Sequence, residues 1–400
     1  MTYDVAKVRA EFPALAEGAA HFDGPGGSQS PAAVGSAVAA ALTAAIANRG
    51  TVTAAERRAE QVVASARAAA ADLVGGVPAG IVFGRSMTAL TYDFARALAK
   101  GWGPGDEVVV TRLDHDANVR PWVQAATAAG ASVRWADFDP ASGVLSVDSV
   151  AKTLSPRTRL VAVTAASNLL GSRPDVPSIA AAARSVGALT YVDGVHLTPH
   201  DVVSTAALGA DFYACSPYKF LGPHLGFLYA APTLLEMIHP DKLLPASDAV
   251  PDRFEFGTLP YELLAGTTAA IDFLADLVPG TGSRRERLVA SLTELEKYES
   301  VLLDRLDTGL ASIPGVRRFG ASDRHRTPTV LFTVRGRTPV EVYAGLAGRN
   351  VNAPAGTFYA LECAKRLGIA ETGAVRAGIA PYTDDSDVDR LLAGVADLAG

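Results

Sequence analysis

The sequence predicts an α/β protein with a mostly parallel sheet in a large domain and a smaller α+β C-terminal domain. Three observations point there. Short apolar runs alternate with helical segments from about residue 80 to residue 231. A chain of 400 residues is long for a single core. After about residue 280 the alternation gives way to long charged helices around one clear strand, "TVLFTVRG".

Taken in order, "AVGSAVAAALTAAIA" (33–47) and "AAERRAEQVVASARAAAADLVG" (54–75) read as alanine-rich helices. "GIVFGRS" is a short strand and "TALTYDFARALAKGW" a helix ending at glycine. "DEVVVTRL", "SVRWADF", "TRLVAVTAASN" and "LTYVDGVH" are strands, separated by the helices "NVRPWVQAATAAGA" and "SIAAAARSVGA". "DFYACS" and "LGFLYAA" follow as two close strands. The charged helix "SRRERLVASLTELEKYESVLLDRLDTGLASI", a helix from Pro339 and the final "DSDVDRLLAGVADLA" complete the chain. The expected division is a large domain over 21–280 and a small one over 281–400. Residues 1–20 are expected to pack on the small domain.

Composition removes several classes. Net charge is −6, so there is no basic footprint for nucleic acid. No apolar run reaches the ~18 residues of a membrane span. The start, "MTYDVAKVRAEFPAL", lacks a basic region followed by an apolar one, so no secretory signal is expected. Two cysteines, Cys215 and Cys363, make no disulfide framework and suit a reducing cytoplasm. No metal is expected.

The chemistry-bearing residues fall at strand ends, where α/β sheets place their sites. The chain has seven lysines against 29 arginines, and Lys219 sits among apolar and aromatic residues in "ADFYACSPYKFLGPHLGFLY". Alone it reads either as a snorkelling lysine or as an amine kept partly neutral for attack on a carbonyl. Ser86, Met87 and Thr88 follow a strand and open a helix, an anion site or a plain cap. Asn168 ends one strand, and Asp193 and His196 end the next. A phosphate cradle, an amine and a carboxylate for a pyridinium nitrogen are what pyridoxal 5′-phosphate needs. The Ser86–Thr88 turn, Lys219 and Asp193 supply them.

At this point the sequence resembles the class V aminotransferases of PLP fold type I, and within them the cysteine desulfurase-like proteins. "HFDGPGGSQSP", "LDHDANVRPW", "SNLLG", "VDGVH", "LGADFYACSPYKFLGPHLGFLY", "RFEFGT" and "VRAGIAPYTDDSDVDRL" follow in family order nearly end to end. The resemblance implies a seven-stranded, mostly parallel sheet and an internal aldimine on Lys219. It places Thr88, Ser216 and the N–H groups of Ser86 and Met87 on the phosphate, with Tyr218 standing where the family has a histidine. Asp193 would pair with the ring nitrogen. His196 replaces a glutamine that bonds the ring hydroxyl. Asn168 would bond that hydroxyl or the substrate carboxylate. Gly26 and Gly27 belong to the glycine loop on the substrate side. Arg376 would hold the carboxylate as a bidentate fork. Thr258 would reach a phosphate across the interface of a homodimer with shared active sites.

Two departures limit the transfer of function. Tyr359 stands where desulfurases carry a mobile, sulfur-accepting cysteine. Cys363 lies four residues later, on the helical stretch "YALECAKRLG", and reads as packing. The family's ring-stacking histidine matches Asp116, with His115 just before it, so either residue can face the ring. The favoured expectation is C–S or other β-substituent cleavage of a small amino acid without a protein persulfide. Transamination or epimerisation is the alternative. A non-catalytic binding protein stands third, against the retention of Lys219, Asp193 and Arg376.

Overall fold

The computed structural model describes residues 3–320 and 326–400. Its central sheet holds β1 Ile81–Gly84, β2 Glu107–Thr111, β3 Ser132–Ala136, β4 Thr158–Thr164, β5 Leu189–Asp193, β6 Phe212–Cys215 and β7 Gly226–Ala230. The order is β1-β7-β6-β5-β4-β2-β3, with β7 antiparallel to both neighbours and the remaining pairs parallel. Val108–Val110 and Leu160–Val163 are fully buried. These strands read as continuous apolar runs because helices cover both faces of the sheet.

The helices are α1 Ala32–Thr43, α2 Ala54–Val74, α3 Met87–Ala99, α4 Arg120–Ala129, α5 Val176–Ser185, α6 Tyr261–Ala275, α7 Arg284–Ser312, α8 Pro339–Ala347, α9 Leu361–Leu367 and α10 Asp385–Ala399. Capping boxes start α2 (Thr53 with Glu56) and α7 (Ser283 with Glu286). The sequence reading passes over α6. That helix packs against α1, α2 and α7. It carries apolar and small residues on most sides and so shows little amphipathic period. A Cβ at Gly266 would come within 2.7 Å of Val38, so glycine permits the close approach of α1.

The smaller C-terminal domain is an antiparallel sheet of β8 Val316–Phe319, β9 Thr329–Val334, β10 Ala355–Gly356 and β11 Ala374–Gly378, ordered β10-β11-β9-β8. The N-terminal segment touches it. Arg9 pairs with Asp384 at 3.1 Å and Asp387 at 2.6 Å, and Ala20–His21 runs parallel to Val351–Asn352. Among the described residues, no helix is long and apolar enough to cross a membrane.

Candidate active site

A cavity of about 250 Å³ opens at the carboxyl ends of β4, β5 and β6. β11 and the loop before α9 close it from the C-terminal domain. Thr88, His115, Asn168, Asp193, Lys219 and Arg376 are among the residues that line it.

Lys219 ends a short 3₁₀ turn after β6. Its Nζ donates to Pro25 O at 2.6 Å. The glycine loop is stitched to the same turn, because Ser28 Oγ accepts from Leu221 N at 2.8 Å and Ser28 N donates to Tyr218 O at 3.1 Å. Gly26 lines the cavity, and Gly27 lies against the Tyr218 ring. Burial pushes the Lys219 amine down to about 7; Arg376 adds to this and Asp193 opposes it.

Asp193 is buried at the end of β5, and its Oδ1 accepts from Val195 N at 2.9 Å. Burial raises its carboxyl to about 6, while that hydrogen bond and then Lys219 pull it down. His196, one turn on, is buried and contacts Thr329 Oγ1 through Nε2 at 3.0 Å.

The start of α3 opens onto the cavity. Ser86 spends its hydroxyl capping Ala89 N, and Ser216 Oγ accepts from Met87 N at 3.1 Å. Thr88, Met87 and Ser216 line the cavity; Ser86 does not. A Cβ at Gly226 would sit 2.2 Å from the Ser86 carbonyl carbon. Glycine there lets β7 press directly on the turn.

Arg376 lies almost fully buried on β11. Its Nη1 donates to Asn168 O at 2.9 Å, its guanidinium carbon stands 3.9 Å from the Phe358 ring centroid, and its Nε is buried without a partner among the described residues. Burial lowers it to about 9, against Asp23 and Tyr218. Asn168 donates through Nδ2 to Phe358 O at 2.9 Å, and its buried Oδ1 likewise has no partner among the described residues. Phe358 and Tyr359 have φ of 52° and 56°, in the left-handed region. Their carbonyls are caught by Asn168 Nδ2 and by Asp116 N, the latter at 2.7 Å.

The sequence match runs with this geometry. A sequence model of the family described as "Aminotransferase class-V" covers residues 20–391. The chain belongs to the class V aminotransferase family.

An uncharacterized protein of Mycobacterium tuberculosis is 34% identical over the whole of both chains. A cysteine desulfurase of Klebsiella pneumoniae is 29% identical, covering 99% of this chain and 98% of its own. The solved cysteine desulfurase CsdA of Escherichia coli, an S-sulfonic acid form, superposes with a TM-score of 0.87 at 28% identity, covering 100% and 99% of the two chains.

The chain is a PLP-dependent class V enzyme, and its residues fit that cofactor. The cavity offers an amine of lowered basicity, one buried carboxylate, a helix start and two unpartnered buried polar atoms at Asn168 and Arg376. The Arg376 cation and the helix start suit an anionic occupant.

Within this class V site the remaining expectations separate. His115 faces the cavity. Its Nδ1 accepts from Ala117 N at 3.0 Å, and burial, with Lys219 and Arg376, lowers it to about 4. Asp116 turns away and pairs with Arg120 at 2.9 Å, because Arg120 offers a cation four residues along the same turn. Thr258 is exposed and outside its own chain's cavity. Tyr359 is 78% exposed at the mouth, its ring 5.7 Å from that of His115. Cys363 and Cys215 are fully buried, and burial pushes both thiols up.

Several residues escape sequence reasoning. Pro25 contributes its carbonyl to Lys219, and Phe358 a ring face to Arg376 and a carbonyl to Asn168. Asp114, the first acid of "LDHDAN", is buried, accepts from Thr111 Oγ1 and from Asn118 Nδ2 at 2.7 Å, and is raised by burial to about 8. An aspartate between an apolar strand end and a histidine was the signal available for it.

Proposed function

We propose that the chain removes the α-proton of a small amino acid and expels a β-substituent, C–S cleavage being the favoured case, with no sulfur carried on the protein. The exchange at the cavity mouth carries this reading: Tyr359 is exposed beside His115, while Cys363 is buried on α9. A sulfur acceptor must be a reachable thiolate, and a phenol cannot form a persulfide.

Bound PLP supplies a carbonyl for condensation with an amine and a protonated ring that accepts electron density from Cα. Lys219 is the residue that would hold it covalently. As a free amine, Lys219 would take the Cα proton at Nζ and hand it to the departing sulfur, which leaves with the C–S electron pair while the former Cα–H pair closes the Cα–Cβ double bond. Asp193 keeps the ring nitrogen protonated. Thr88, Ser216 and the start of α3 would hold the phosphate, with Ser86 shaping the turn. Tyr218, His196 and His115 line the cavity and would flank the ring. Arg376 and Asn168 orient the substrate carboxylate with the two polar atoms the protein leaves free. Thr258 serves a second copy's site in a homodimer.

Transamination or epimerisation uses the same proton without a leaving group. An aminotransferase-like protein of Gibberella zeae, 30% identical over 98% of this chain, favours that second reading. Purified protein given a panel of amino acids, with sulfide, keto acid and amino-group transfer assayed in parallel, decides between them. Sulfide with pyruvate from L-cysteine supports elimination. Amino transfer without sulfide overturns it. Lys219→Ala is expected to lose the visible band that borohydride removes, together with nearly all turnover.

A further inference from the structure

His196 and Thr329 join the two domains inside the cavity wall. Thr329 lies on β9 of the C-terminal domain, fully buried, and its Oγ1 stands 3.0 Å from His196 Nε2. No other hydrogen bond of that hydroxyl is found among the described residues. A buried hydroxyl whose proton finds no acceptor is left with its lost hydration uncompensated. Among the described residues, the His196 Nε2 lone pair is the acceptor that hydroxyl meets. Nε2 is thereby an acceptor, and the ring proton of a neutral imidazole must sit on Nδ1.

The surroundings keep that imidazole neutral. His200, 5.6 Å away edge to face on the same segment, Arg376 on β11 and Lys219 after β6 all face it. Burial, followed by these groups, holds the ring well below its usual pKa. His200 is itself tied to the buried Glu299 of α7 at 2.9 Å. With Nε2 engaged, Nδ1 is the ring nitrogen left for an occupant of the cavity that His196 lines.

We propose that Thr329 is a positioning residue: it donates to His196 Nε2, fixes the Nδ1–H tautomer, and so presents one N–H donor to an anionic oxygen of the cavity's occupant. That oxygen belongs to the cofactor ring or to the substrate carboxylate.

The test uses holoenzyme carrying ¹⁵N-labelled histidine, with the His196 signals assigned by their loss in His196→Gln. The wild type is expected to show a protonated Nδ1 and an acceptor Nε2. Thr329→Val removes the hydroxyl at nearly constant shape and is expected to lose that pattern, whereas Thr329→Ser retains it. Two arms then identify the acceptor. If it is the cofactor's ring oxygen, the pH midpoint of the visible band rises in Thr329→Val by about one unit. If it is a carboxylate, affinity for acetate, read from its perturbation of the band, falls about three- to tenfold. A wild-type Nε2–H tautomer overturns the proposal. So does an unchanged nitrogen pattern in Thr329→Val, or a changed pattern with neither arm moved. The inference rests on the cofactor site above, and retention of the borohydride-sensitive band in these variants shows that site intact.

Discussion

Lys219 Nζ donates to the carbonyl oxygen of Pro25 at 2.6 Å, joining residues 194 positions apart. The glycine loop thus holds the amine where the turn after β6 presents it. A buried amine beside Arg376 sheds its proton easily, and the group sits near pH 7 rather than 10.5.

The rate at which apoenzyme captures PLP is therefore expected to rise with pH through about 7 and then level, because only the neutral amine attacks. A lowered lysine pKa places the neutral form above that midpoint. Arg376→Gln removes a cation that favours the neutral form, so the midpoint is expected to move up. Stopped-flow absorbance reads both, and a wild-type midpoint near the ordinary lysine value would contradict the assignment.

Arg376 keeps Nε free while Nη1 and the ring of Phe358 fix its plane. Arg376→Lys is expected to raise KM about tenfold or more and to leave cofactor retention unchanged, since a charge-assisted hydrogen bond is worth about 1.5–3 kcal/mol. Phe358→Ala, which keeps the charge and loses the support, is expected to move KM in the same direction by less. Loss of cofactor at constant KM would make Arg376 a structural residue.

Cys363 lies inside the helix after Tyr359, fully buried. No persulfide is expected on it after treatment with L-cysteine. Cys363→Ala is expected to leave kcat unchanged and to lower the melting temperature slightly, because the loss is one of packing. Mass spectrometry after alkylation checks the first point. A persulfide on Cys363 with loss of turnover in the variant would restore a desulfurase mechanism.

Thr258 is exposed on its own chain and does not line that chain's cavity. A dimer with shared sites is expected, with Thr258→Ala weakening PLP retention although the residue touches nothing in its own cavity. Light scattering and cofactor titration test this together. A monomer that binds PLP and turns over normally would refute it.

The sequence by itself determined the alternation of strands and helices and marked Lys219, Asp193 and Asn168 at strand ends; Arg376 was marked only by the family resemblance, and all four line the cavity. Strand ends are readable because β-branched runs stop at polar residues, and chemistry collects where they stop. Its limits were α6, which carries little period, and β8 and β11, which are short and lie among turn residues. Tertiary packing decided that His115 rather than Asp116 faces the cavity: Arg120, which pairs with Asp116, is itself held by Glu362 of α9, and Asp116 N donates to Tyr359 O. Packing also seated Phe358 on Arg376, left Tyr359 outside and Cys363 inside, and brought Thr329 to His196. Those contacts link residues as far apart as 133 positions in the His196 pair. Local propensity sets the direction of a strand and the period of a helix. Which side chain meets which across the domains depends on how those elements pack, and no local pattern encodes it.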